Sequence, residues 1–286
     1  MYKSFLISLI LFLITPAANA EGMPGVRFHN IGADTTRLQT ILSRHKGENK
    51  NTGDLMLSIA EEFIGTPYVA HTLEWTPEMV TVNTEELDCT TFVDNVMALA
   101  ATVSEGRDSW RDAVFNLKRF RYRGGTPDGY ASRLHYICDW AVDNIHRGNI
   151  TDATTSFPAV AYQVRSINYM STHSNAYPAL ADSITLAEIK AVEGGYRNHR
   201  FPYIKTASIG SKAVKNSFRN GDIIALVCKL NNLDVTHLGL IKMINGVPYL
   251  LHASSSHSKV EVSEVPLYEF LKRNPAIMGV RAFRLN

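Results

Sequence analysis

The chain reads as an α+β protein, with helices in its first half and an antiparallel sheet at its C-terminal end. Three observations predict this. Apolar residues recur at helical spacing in several segments before Ile145. Short apolar runs, continuous or alternating, fill roughly the last eighty residues. Asn245-Gly246 sits between two of those runs and is a strong two-residue hairpin signal.

The elements follow in order. Met1-Tyr2-Lys3, the apolar run Phe5 to Ile14 and Ala18-Asn19-Ala20 have the charge, length and small-residue pattern of a secretory signal peptide over residues 1–20. One catalytic domain over 21–286 is expected after it. Helices are expected at Arg37 to His45 and at Asp54 to Ile64, the second ended by Gly65-Thr66-Pro67. A turn-rich stretch, Tyr68 to Thr84, precedes a helix that starts at Cys89 and carries Phe92, Val93, Val96, Met97, Ala100 and Val103 on its apolar face. Further helices are expected from Ser109 to Arg119 and from Ser132 to Ile145. The mixed pattern from Gly148 to Thr206 has strand-like Val160 to Val164 and Ile167 to Met170 and a helix near Leu186 to Val192. With the loop before it, this region reads as an insertion at about 120–206. Strands are expected at Ile223 to Cys228, Thr236 to Ile244 and Val247 to Ser254. A helix from Leu267 to Arg273 and a last strand, Ile277 to Phe283, complete the pattern.

Composition narrows the function. Net charge is +2 and no long basic run occurs, so nothing points to nucleic acid. No stretch approaches the ~20 apolar residues that a membrane helix needs. The leader predicts an exported protein: periplasmic if the organism has two membranes, otherwise extracellular. The absence of a cysteine at the cleavage site argues against a lipoprotein. Three cysteines, Cys89, Cys138 and Cys228, allow at most one bridge. Cys138 and Cys228 are either that bridge or two buried thiols. Oligomeric state is not legible.

Cys89 then becomes the candidate nucleophile. Asp88 is a plausible N-cap, and unpaired N–H groups at a helix start favour an anion, which predicts a lowered thiol pKa. The hairpin supplies a base. If Asn245 and Gly246 are the turn, Ile244 pairs with Val247, and outward counting puts His237 and His252 on one face as diagonal neighbours. A thiol nucleophile needs an imidazole to take its proton and a third polar group to orient that imidazole. His237 fits the first role and His252 the second. Metal binding competes for such residues, but no His-Glu-x-x-His or paired Cys-x-x-Cys occurs, and no cofactor is expected. There is no Gly-x-Ser-x-Gly elbow for serine catalysis.

These residues carry a resemblance. Gly65-Thr66-Pro67-Tyr68, Leu87-Asp88-Cys89-Thr90-Thr91-Phe92-Val93, Gly221-Asp222-Ile223-Ile224, Thr236-His237-Leu238-Gly239-Leu240 and Leu251-His252-Ala253-Ser254 resemble the successive motifs of the NlpC-type, papain-like cell-wall cysteine hydrolases. Cys-Thr-Thr-Phe-Val and the run Ser132-Arg133-Leu134-His135-Tyr136 are closer to the branch known as N-acetylmuramoyl-L-alanine amidase-like. The resemblance implies a papain-like core with Cys89 as nucleophile, His237 as base and His252 as third residue. It also implies that Tyr68 lines the site and stabilises the oxyanion, alongside the Cys89 N–H. Arg133, His135 and Tyr136 are expected to help bind a sugar-peptide. The implied reaction is cleavage of the amide between the lactyl group of N-acetylmuramic acid and L-alanine, with peptidoglycan fragments as partner. Alternatives are a D-glutamyl endopeptidase cutting the stem peptide, a muropeptide-binding protein without activity, and a thiol acyltransferase.

Overall fold

The computed structural model describes residues 22–286; the expected signal peptide lies outside them. The chain opens with β1 (Val26–Phe28), α1 (Ile31–His45) and α2 (Thr52–Glu61). It continues through β2 (Val80–Val82), α3 (Cys89–Ser104), α4 (Trp110–Arg121) and α5 (Ile137–His146). Strands β3 (Ile150–Asp152), β4 (Val160–Arg165) and β5 (His199–Lys205) come next. The C-terminal part supplies β6 (Ile223–Cys228), β7 (Val235–Ile244), β8 (Val247–Ser254), β9 (Lys259–Val262) and β10 (Ile277–Leu285). A helix, Leu267–Lys272, separates the last two strands. Helices and an antiparallel sheet therefore coexist as the sequence predicts.

The main sheet has the order β4-β5-β10-β6-β7-β8-β9, with β3 also paired to β10. Region 120–206 thus contributes three strands to this sheet, and β4 extends its far edge. β1 and β2 form a separate parallel pair that the sequence reading does not anticipate.

Both faces of the sheet are covered. Ile223, Ala225, Leu238, Leu240, Leu251 and Ala253 pack against α2 to α5. Ile224, Leu226, Cys228, Ile241 and Leu250 pack against the helix Leu267–Lys272 and neighbouring short helices. A strand covered on both sides has no polar face, which explains the unbroken apolar run of β6. Within α3, Phe92, Val96, Met97 and Leu99 are all fully enclosed, each stabilising the fold by about 1.5–3 kcal/mol.

Two expectations need correction. The helix expected from Ser132 begins only at Ile137. Residues 133–136 are extended instead: Leu134 donates its N–H to the Arg121 carbonyl at 2.9 Å, and Tyr122 bridges Arg133. This tertiary pairing overrides the helical spacing of the segment. Ile167 to Met170 is not a strand, because a short helix, Tyr169–Thr172, starts there. Cys138 and Cys228 are free and buried, so the open question of a bridge resolves to two separate thiols.

Candidate active site

Local sequence builds the start of α3. The Asp88 carboxylate accepts from the backbone N–H groups of Thr90 (3.0 Å) and Thr91 (2.8 Å), and the Thr91 hydroxyl accepts from the Asp88 N–H at 2.8 Å. This reciprocal capping box satisfies donors that the first helical turn leaves unpaired. Cys89 is therefore the first residue of the helix, held against an otherwise buried face.

Long-range bonds fix the loop that delivers it. Buried Asp34 accepts from the Thr84 N–H and hydroxyl, both at 2.8 Å. Arg37 donates to the Thr84 carbonyl at 2.6 Å and to the Thr66 hydroxyl at 2.9 Å. One guanidinium thus ties the loop leading to Cys89 to the loop leading to Tyr68. The Tyr68 segment also lies beside β9 and Leu87, with Tyr68 N–H to the Ser258 carbonyl at 3.0 Å and Leu87 N–H to the Pro67 carbonyl at 3.0 Å. Tyr68 and Cys89 are half-buried against the same apolar core.

The hairpin delivers the histidines as counted. Asn245 and Gly246 have φ of 50° and 77°, the conformation a two-residue turn of this type requires. Ile244 pairs with Val247 and the ladder continues to Leu240 with Leu251. His237 Nε2 and His252 Nδ1 lie 2.7 Å apart, with ring planes at 89°. Gly239 makes room for this: a Cβ there would meet the Leu251 carbonyl at 2.9 Å and the His252 Cβ at 3.0 Å.

The thiol meets β7 next to this pair, and among the described residues its hydrogen-bond partners do not include either histidine. The backbone N–H of Leu238, the residue after His237, acts on the Cys89 sulfur and favours its anion. Larger effects oppose it. Although Cys89 keeps part of its surface exposed, burial of the thiol and then the neighbouring Asp88 carboxylate push it up to about 11. The expectation of a lowered pKa is corrected: desolvation and an adjacent like charge outweigh the helix start. Burial also lowers His237 to about 4; burial followed by repulsion from His237 lowers His252 to about 3. At neutral pH the site holds a neutral thiol and two neutral imidazoles.

Beside Cys89 lies a cavity of about 160 Å³, bordered by Asp88, Thr90 and Leu238. Arg133 and His135 also line it, whereas Tyr136 does not. Arg133 is buried and pairs with Glu74 at 2.9 Å and Glu78 at 3.3 Å, so it is not on a solvated helix face. His135 touches the Tyr130 carbonyl at 2.9 Å, and burial and then Arg133 lower it to about 3. The placement of Tyr136 at a substrate site is corrected. Its hydroxyl donates to Glu193 and accepts from the Met170 N–H, both at 2.7 Å, within a separate buried cluster.

Sequence reasoning missed Glu74, Asp94 and Arg121 at this cavity. Arg121 and Asp94 form a buried ion pair at 2.8 Å, and Arg121 also donates to the Thr81 carbonyl at 2.7 Å. These are isolated charges on separate elements and carry no local signal; only burial marks them. Among the described residues, no group of three or more His, Cys, Asp or Glu side chains is placed to hold a metal. Nor is any helix among them long and apolar enough to cross a membrane.

The model of the AmiA-like, N-acetylmuramoyl-L-alanine amidase-like family matches residues 58–279. A crystal structure of an N-acetylmuramoyl-L-alanine amidase from Bacteroides uniformis is similar at 36% identity and a TM-score of 0.78, covering 83% of this chain and 100% of its own. A Bacteroides fragilis protein whose structure bears a xylanase name is similar at 37% identity and a TM-score of 0.75, with 80% and 100% coverage. A Legionella pneumophila protein shares the fold, with a TM-score of 0.69 at 21% identity and 89% and 94% coverage. No curated protein matches the sequence.

Proposed function

The chain belongs to the AmiA-like, N-acetylmuramoyl-L-alanine amidase-like family, and from that premise we propose that it is an exported cysteine amidase of the papain-like, NlpC-type kind. Its substrate is a peptidoglycan fragment, and the bond cleaved joins the lactyl carbonyl of N-acetylmuramic acid to the nitrogen of L-alanine. One observation carries the reading. A helix-capped thiol stands beside the strand residue that follows His237, and His237 is already bonded to His252 at 2.7 Å.

The chemistry follows from this arrangement. His252 occupies Nε2 of His237, which leaves Nδ1 of His237 as the position that receives the thiol proton. Because thiol and imidazole are both neutral at rest, the proton moves as sulfur attacks the lactyl carbonyl. The oxyanion that forms is stabilised by the Cys89 N–H, at the helix start, and by the Tyr68 hydroxyl. Collapse breaks the C–N bond, and the proton on His237 passes to the departing alanine nitrogen. Water, deprotonated by His237, then hydrolyses the thioester to the sugar lactyl carboxylate and the free thiol. Arg133 and His135 contribute binding contacts from the adjacent cavity. The leader over residues 1–20 supports export to the compartment where this polymer lies.

A glycosidase reading, suggested by the xylanase name of one neighbour, has little support in the cavity. Its carboxylates Glu74 and Asp94 are engaged by Arg133 and Arg121 and Asp88 by the cap of α3, whereas glycoside hydrolysis needs one free acid and one free carboxylate flanking the bond. The test is one incubation of the mature protein with a defined disaccharide-peptide, followed by mass spectrometry. Release of the intact stem peptide is expected. A disaccharide still carrying L-Ala-D-Glu refutes the amidase reading and favours the endopeptidase; full activity of Cys89→Ala refutes the nucleophile.

A further inference from the structure

Behind the histidine pair lies a second polar cavity, of about 280 Å³, that the mechanism above does not use. Its walls include His252, His257, Glu261, Glu264, Phe270 and Arg273. Strand register explains which groups meet there. Leu251 and Ala253 of β8 and Val260 and Val262 of β9 pack toward the helices, so alternation turns His252 and Glu261 to the opposite face. Phe270 seats on the His252 ring from that side, with centroids 5.4 Å apart. His252 and Glu261 are direct cross-strand partners, a placement that brings Cβ atoms to within ~5 Å.

Proton placement makes this arrangement consequential. For His237 to accept the thiol proton at Nδ1, its Nε2 must carry hydrogen and donate to His252 Nδ1. His252 then carries its own hydrogen on Nε2, which diverges from His237. Among the described residues Nε2 has no hydrogen-bond acceptor in direct contact, while its ring borders the cavity that Glu261 lines. Glu261 is itself oriented: Oε1 lies 2.5 Å from His257 Nδ1. Glu264 and Arg273 also face the cavity, but neither is the cross-strand partner of His252.

We infer that Glu261 is a positioning residue for the reaction: its negative charge, on the cross-strand partner of His252, favours the Nε2–H tautomer of His252 and balances the positive charge that reaches the histidine pair when Cys89 gives up its proton. This rests on the cysteine-amidase reading. Electrostatics agree in direction, since burial and His237 push His252 toward its neutral form while Glu261 opposes them. The arrangement extends the Cys-His-His line by a fourth group, much as a buried carboxylate orients the histidine of a triad.

The experiment uses the mature chain with Glu261→Gln, which removes the charge and keeps the shape, and Glu261→Asp as the conservative variant. On the muropeptide substrate, kcat is expected to fall about tenfold in Glu261→Gln with KM unchanged, and to recover largely in Glu261→Asp. In a Cys89→Ala background, nitrogen-15 shifts of the imidazoles report the His252 tautomer without any turnover. There Nε2–H is expected with Glu261 present and a mixture of tautomers in Glu261→Gln. An unchanged tautomer and unchanged kcat overturn the proposal. Because the tautomer is read in an inactive protein, failure of the amidase reading would appear in the substrate assay alone.

Discussion

The balance of forces on Cys89 can be tested by separating the two jobs of Asp88. Its carboxylate caps α3 and also stands next to the thiol, where it is the second cause, after burial, of the rise to about 11. Asp88→Asn keeps a good N-cap acceptor while removing the charge. Two unit charges ~6 Å apart at an effective dielectric of ~20 interact by about 2.8 kcal/mol. Asp88 is only partly buried, so screening reduces this to about half, or about one pKa unit. The thiolate fraction at pH 8 then rises about tenfold. A thiolate of lower basicity is also a weaker nucleophile, so the alkylation rate with iodoacetamide rises only about three- to fourfold. Cys138 and Cys228 are buried, and peptide mapping confirms that the label is on Cys89. Asp88→Ala is the control for the cap, expected to cost about 1–2 kcal/mol in urea denaturation, against less than about 1 kcal/mol for Asp88→Asn. An Asp88→Asn protein of unchanged stability whose Cys89 alkylates no faster refutes the argument.

Four further outcomes follow from the geometry. Tyr68→Phe removes one oxyanion donor and is expected to lower kcat about 10²-fold with little change in KM; a rise in KM with kcat unchanged would assign Tyr68 to binding instead. The neutral thiol–imidazole pair persists between about 4, where His237 protonates, and about 11, where Cys89 ionises, so kcat/KM of the free protein is expected to be flat across neutral pH. A bell centred near pH 6 would instead indicate a thiolate–imidazolium pair. In stability, both histidines bind protons less readily folded than unfolded: their contribution is complete above the unfolded value of about 6.5 and is lost as pH falls toward 4, measurable as a falling Tm. Arg121→Met leaves Asp94 buried without its partner and is expected to cost about 3–5 kcal/mol in urea, with much of the loss recovered by adding Asp94→Leu.

Much of the site was legible because it is built from short-range rules. Asp88 before Cys89 announces a helix start, and Asn245-Gly246 sets a register that places His237 beside His252. Residues 133–136 show where such rules fail. Their helical spacing is real, but pairing with Arg121 and Tyr122 holds them extended, so Arg133 and His135 reach the cavity and Tyr136 turns into another core. The thiol pKa failed for a related reason. A helix start is a local feature, whereas desolvation depends on everything packed around the sulfur.

The sequence by itself determined the α+β class, the helix start at Cys89 and the hairpin register that sets His237 beside His252, since each depends on residues close together in the chain. Only the tertiary structure decided that Arg37 joins the two loops carrying Tyr68 and Cys89, that Arg121 and Asp94 pair beneath the cavity, and that Glu261 shares a face with His252. Those contacts join residues far apart in the chain, and their energy comes from burial and from charge in a low-dielectric setting. Both quantities come into being only when the elements have packed.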